Sequence, residues 1–291
     1  MTTQQHALSP QRVTYHIDGG VKLIGDAWGN NQATPVLFLH GGGQTRHAWG
    51  GTARTLAQQG WHTVSLDLRG HGDSDWSPDG EYIIDVFVKD IRQVISRFPK
   101  PPVLVGASLG GITSLLVAGE AEHPVASAVV LVDITPRVEQ RGVERIRAFM
   151  TGNPNGFANL EEAADAVAAY IPHRPRPKDL SGLAKNLRLG EDGRYRWHWD
   201  PQLISPARFA RGRDPERLLD AARALRIPTM LVRGKLSDVI SDETVNEFLA
   251  AVPHAKYADV SDAGHMVAGD QNDAFSKAVI GFLSDVTDAP S

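Results

Sequence analysis

Short apolar runs alternate along this chain with longer stretches of helical spacing. Residues 35–39 (PVLFL), 103–105 and 125–132 read as strands, the first a continuous apolar run of the kind buried on both faces of a parallel sheet. Residues 61–66, 228–232 and 256–260 supply further strand-like runs. Segment 81–98 places Ile84, Phe87, Val88, Ile91, Val94, Ile95 and Phe98 on one helical face, and Pro99 stops it. Helices are also predicted over 47–58, 109–119, 242–251 and 272–283. Near the start, residues 12–17 and 21–27 flank Asp18-Gly19-Gly20, which is a hairpin signal. Strands that alternate with helices in this way predict an α/β fold whose sheet is mostly parallel and covered on both faces.

The alternation breaks over residues 134–226. That stretch is helical in pattern, rich in arginine and interrupted by proline, and strand-like apolar runs are missing from it. It is expected to be a helical cap inserted into a core made of residues 1–133 and 227–291. The insertion holds 17 Lys and Arg against 12 Asp and Glu, which leaves the rest of the chain distinctly acidic. A basic cap could steer an anionic substrate. The simpler reading is that it packs on an acidic core and solvates its own surface. Residues 194–199 (RYRWHW) place Trp197 and Trp199 as candidates for lining a substrate pocket, or as staples between cap and core.

The bulk numbers narrow the class. A chain of 291 residues can bury a large core without disulfides or metals, and this one has no Cys for a thiolate nucleophile or a Cys-ligated metal. A net charge of −4 argues against a general nucleic-acid binder. Residues 1–13 are polar, so no secretory leader is expected. No apolar stretch approaches the roughly 20 residues of a membrane span. The expectation is a cytoplasmic protein that acts on a small molecule, with a homo-oligomer left open as its one macromolecular association.

The candidate chemistry begins at Gly106-Ala107-Ser108-Leu109-Gly110, which follows a predicted buried strand and opens a predicted helix. A G-x-S-x-G turn in that context holds its serine in a strained conformation and exposes the hydroxyl. Serine is a weak nucleophile at neutral pH and needs a base that is itself oriented by an acid. His265, just after the last predicted strand and preceded by Gly264, suits the base. Asp238, after strand 228–232, is the favoured acid. Asp133, at the end of strand 125–132, competes with it. Asp242 reads instead as a helix N-cap and Asp262 as a turn residue. The His40-Gly41-Gly42-Gly43 loop after strand 35–39 can offer the Gly42 N–H to an oxyanion, with Leu109 N–H as the second donor. No G-x-G-x-x-G after a strand, G-x-x-x-x-G-K-[ST] or H-E-x-x-H motif is present, so no cofactor or metal is expected.

The His40–Gly43 loop, Asp67-Leu68-Arg69-Gly70-His71-Gly72-Asp73-Ser74, the Gly106–Gly110 elbow, Asp238 and Gly264-His265 together resemble the α/β-hydrolase superfamily. The resemblance implies an eight-stranded, mostly parallel sheet with helices on both faces and an inserted helical cap. It also implies a structural role for the 67–74 loop, with His71 hydrogen-bonded rather than catalytic. Ser108, where epoxide hydrolases and haloalkane dehalogenases carry Asp, implies an acyl-serine route for a small carboxylic ester, thioester or lactone. C–C bond hydrolysis, perhydrolysis and a non-catalytic ligand receptor on the same scaffold stay open as alternatives.

Overall fold

The computed structural model describes residues 9–172, 176, 178–205, 214–261, 263–265 and 273–288. Six strands come first: β1 (Gln11–His16), β2 (Lys22–Trp28), β3 (Pro35–Leu39), β4 (His62–Leu66), β5 (Val103–Ala107) and β6 (Ala128–Val132). After the insertion come β9 (Thr229–Gly234) and β10 (Lys256–Val260). These eight form one sheet in the order β1-β2-β4-β3-β5-β6-β9-β10. β2 runs antiparallel to β1 and β4, and every other neighbouring pair is parallel. Gly19 and Gly20 turn the β1–β2 connection at φ of 78° and 76°, values that favour glycine.

Side chains alternate across the strands, so each face buries its own set. On one face Leu37, Leu39, Leu104 and Leu131 pack against helices α2 (Ile84–Ile95) and α3 (Leu109–Gly119). On the other, Val36, Phe38, Val105 and Val130 meet Leu56 of α1 (Gly50–Gln58). Phe275, Val279 and Phe282 of the last helix join that second cluster. The continuous apolar strands noted in the sequence are those covered on both sides.

The insertion between β6 and β9 is not wholly helical. It carries α4 (Gln140–Thr151), α5 (Leu160–Tyr170) and a four-residue α6 (Ser181–Ala184). It then adds an antiparallel pair, β7 (Leu187–Leu189) with β8 (Tyr195–Trp197). Strands of three residues are too short to show as apolar runs. α7 (Pro215–Ala224), capped by Asp214, lies directly on α3, where a Cβ on Gly119 would come within 2.2 Å of the Ala221 carbonyl oxygen. α8 (Asp242–Ala251) and α9 (Asp273–Asp288) complete the chain. Asp242 opens α8, but the N-cap is Ser241, whose side chain accepts from Thr244 N in a capping box. Among the described residues no helix is long and apolar enough to cross a membrane.

Candidate active site

The loops that leave the carboxyl ends of β3, β5, β6, β9 and β10 gather at one edge of the sheet, where ligands of open parallel sheets bind. β5 leads directly into Ser108, whose φ of 46° and ψ of −111° put a non-glycine residue in strained backbone. The elbow is possible because the glycines around it let three backbone segments touch. A Cβ on Gly106 would lie 2.3 Å from the Gly110 carbonyl oxygen, and one on Gly110 would lie 2.4 Å from that of Leu39. Gly110→Ala is therefore expected to destabilise the protein by about 3 kcal/mol, read as a lowered urea midpoint, because backbone cannot yield as a side chain can.

His265 is buried, and its Nδ1 lies 2.7 Å from Asp133 Oδ2. Asp133 sits at φ 51°, immediately after β6. Its Oδ1 accepts from Gly234 N at 3.0 Å, and its Oδ2 also accepts from Ser237 Oγ at 2.7 Å. Three donors from two loops thus fix this carboxylate. Gly234 allows the approach, since a Cβ there would meet the Ala263 carbonyl oxygen at 2.5 Å. Leu236 N also donates to that oxygen, at 2.8 Å.

Asp238, the acid favoured from sequence, points elsewhere. It pairs with Arg145 of α4 at 2.6 Å. The structure therefore brings Asp133, the competing candidate, to His265. The physical reason is the turn after β6, where left-handed backbone aims the Asp133 side chain across the sheet edge toward β10's loop. Ser237, the residue before Asp238, reaches the same carboxylate and carried no signal in the sequence. Asp262 and Met266, which flank the Ala263–His265 stretch, lie outside the described residues.

The glycine loop lies beside the serine, for a Cβ on Gly41 would sit 3.4 Å from Ser108 Cβ. Gly41 N donates to Gln44 Oε1 at 2.9 Å and Gly43 N to His71 Nε2 at 3.2 Å. The Gly42 N–H has no hydrogen-bond acceptor among the described residues, and Gly42 lines the same cavity as Ser108 and His265. Leu109 N–H, in the first turn of α3, lacks a helical acceptor by geometry.

A family model described as the alpha/beta hydrolase fold matches residues 34–270. The chain belongs to the α/β-hydrolase fold family. Esterase Rv0045c of Mycobacterium tuberculosis is 32% identical over 264 residues, covering 88% of this chain and 84% of that one. A solved structure of that esterase matches with a TM-score of 0.74 at 28% identity, over 95% of this chain and 92% of the other. A 3-hydroxybutyrate-oligomer hydrolase of Cupriavidus necator is 31% identical over 255 residues, 82% of this chain and 85% of its own. The structure of E-2-(acetamidomethylene)succinate hydrolase gives a TM-score of 0.78 over 94% of this chain and 100% of that one, but at 24% identity it is a likeness of fold.

Three buried histidines hold the glycine loop of this α/β hydrolase in place. His40 Nδ1 donates to Gly41 O at 2.8 Å, and its Nε2 accepts from Leu68 N at 3.0 Å. His71 accepts from Gly43 N and donates from Nδ1 to Arg69 O at 3.0 Å, the loop role expected of it. His198, from the insertion, accepts from Gly72 N at 2.7 Å and donates to Gly43 O at 3.4 Å. Burial pushes the His40 imidazole down to about 4. Burial, with His40 nearby, pushes His198 down to about 3. Each ring accepts a backbone N–H, which only an unprotonated nitrogen can do. Deeper in the same region the Asp67 carboxylate is bonded by Arg46 N at 2.6 Å and by the Arg46 guanidinium.

In this hydrolase a partly open cavity of about 870 Å³ lies over Ser108. Its insertion contributes Val143, Ile146 and Met150 of α4, with Leu203 and Ile204. Trp197 and Trp199 are not among the lining residues. They stack on each other at 5.0 Å, and Phe157 meets Trp197 edge-on at 5.2 Å, within the same buried apolar cluster that holds Leu39 and Leu104 of the sheet, so they staple the insertion to the core. Among the described residues two arginines line the cavity, and both are held by carboxylates: Arg137 by Glu216 and Glu247, and Arg217 by Asp85 and Glu120. The simpler reading of the basic insertion fits these pairs. Among the described residues no group of three or more His, Asp or Glu side chains could hold a metal ion.

Proposed function

We propose that this α/β hydrolase cleaves a carboxylic ester, thioester or lactone through an acyl-serine intermediate. The observation that carries the reading is the buried Asp133–His265 pair at 2.7 Å, opening into the same cavity as the strained Ser108. Ser108 attacks the carbonyl while His265 takes its proton. Asp133 holds the imidazole in the tautomer whose Nε2 can accept that proton and stabilises the imidazolium. The N–H groups of Gly42 and Leu109 hold the oxyanion, each worth on the order of 10²–10³ in rate. His265 then protonates the leaving group and activates the water that releases the acid. The esterases among the relatives support the same bond type. Arg137 and Arg217, already neutralised, disfavour the anionic ring-cleavage substrate of a C–C hydrolase.

Labelling with a fluorophosphonate probe tests the reading. A single adduct at Ser108, absent in Ser108→Ala, is expected, with kcat on an aryl ester falling by about 10⁶ in that variant. A folded native protein that neither labels nor turns over esters would overturn it and favour a receptor on this scaffold.

A further inference from the structure

We infer that the cavity takes a straight, uncharged aliphatic acyl chain of medium length, hexanoyl to decanoyl, laid along α3 from Ser108 and stopped at Arg217. This rests on the ester-hydrolase reading above and names its substrate class.

Leu109, Ile112 and Leu116 of α3 all line the cavity. Their spacing puts them in one stripe that starts beside the nucleophile. Val143, Ile146 and Met150 repeat the same spacing on α4 and line the same space. The two aliphatic stripes make a slot. From Leu109 to Leu116 it runs about 10 Å, at the helical rise per residue.

The far end is defined by charge. Glu120 follows the last residue of α3 and holds Arg217 at 2.6 Å, while Asp85 at the start of α2 holds the same guanidinium at 2.6 Å. Arg217 lines the slot, and beyond it lies a separate surface cavity of about 400 Å³ that shares Asp85 and Arg217. This cluster is therefore the partition at the end of the slot. Among the described residues the wall offers an anionic group no unpaired arginine. Among the described residues its one aromatic side chain other than His265 is Tyr82, whose hydroxyl is committed to Asp200 at 2.6 Å. Arg137 and Arg217 face two carboxylates each, and Asp214 accepts from Arg217 N at 3.1 Å. An acyl chain in this slot buries methylene against methylene, and each buried CH₂ is worth about a fourfold gain in kcat/KM.

The test is the full-length protein with p-nitrophenyl esters from acetate to palmitate, kept below their micelle concentrations. In the native protein kcat/KM is expected to climb about fourfold per methylene to octanoate or decanoate and then fall. Ile112→Phe fills the middle of the slot and should move the optimum to butyrate, lowering the octanoate-to-acetate ratio at least tenfold. Arg217→Ala removes the partition and should move it to dodecanoate or beyond. A chain ending in a carboxylate should be turned over more slowly than the neutral chain of equal length. A series that falls from acetate onward, an optimum unmoved in both variants, or a preference for the carboxylate-tipped chain would overturn the inference while leaving the esterase reading intact. Absence of all ester turnover and of labelling at Ser108 would overturn both.

Discussion

Asp133→Asn is expected to lower kcat by about 10⁴ with little change in KM, while Asp238→Asn retains most of the native rate. The large effect follows from tautomers rather than from lost charge alone. The Asp133 carboxylate can only accept, so it selects the His265 ring with its proton on Nδ1, leaving Nε2 free to take the serine proton. An amide at the same place can present its NH₂ group to Nδ1 and select the opposite tautomer, whose Nε2 is already protonated. Gly234 N would still donate to the remaining oxygen, and Ser237 Oγ can turn to accept from the new NH₂, so the fold should survive. The Arg145–Asp238 pair is half-exposed, and such pairs contribute about 1 kcal/mol or less to stability. Steady-state kinetics of the two variants on one ester decides the matter. Equal losses, or a larger loss in Asp238→Asn, would return the acid to the loop after β9.

The second large effect is on stability in acid. His40 and His198 are held down to about 4 and about 3 in the folded protein, whereas in the unfolded chain they titrate near 6.5. Below that value the unfolded state binds protons that the folded state refuses, so stability is full above about pH 6.5 and falls as the pH drops toward 4. Two such groups give a slope of about 3 kcal/mol per pH unit once the pH is below 6. His47 and His62, also lowered mainly by burial, push the same way. Urea midpoints measured between pH 4.5 and 7.5 should show this slope. His198→Asn, which can still bond Gly72 N, should flatten it by about half. A native midpoint that does not change across that range would show that the buried rings are protonated at little cost.

Much of the site was legible because its signals are local. Gly106, Ser108 and Gly110 lie in one turn, and the need for glycine there is set by contacts within a few residues. His265 was legible for the same reason, as a histidine that follows a glycine after the last strand. The acid was not. Asp133 and Asp238 both follow central strands, and β6 and β9 are neighbours in the sheet, so order along the chain cannot separate them. What separates them is the sign of φ at Asp133 and the partner that α4 offers to Asp238, and neither is written in the residues nearby. The hairpin of the insertion escaped for want of length. The alternation at Tyr195-Arg196-Trp197 is real, but three residues do not make a period.

The contact between α4 and the loop after β9 has a mechanical meaning. A Cβ on Gly142 would come within 2.2 Å of the Asp238 carbonyl oxygen, and Glu139 N donates to Val239 O at 2.8 Å. With Arg145 bound to the Asp238 side chain, the first turns of α4 are riveted to the sheet. The far half of the helix is held too, for Phe149 packs on Tyr170 at 4.4 Å and on Trp197 at 5.5 Å, while Ile146 and Met150 line the cavity of the serine. Held at both ends, the helix is a fixed beam, and the width of the slot beneath it is set by the side chains of Val143, Ile146 and Met150 rather than by a swing of the backbone.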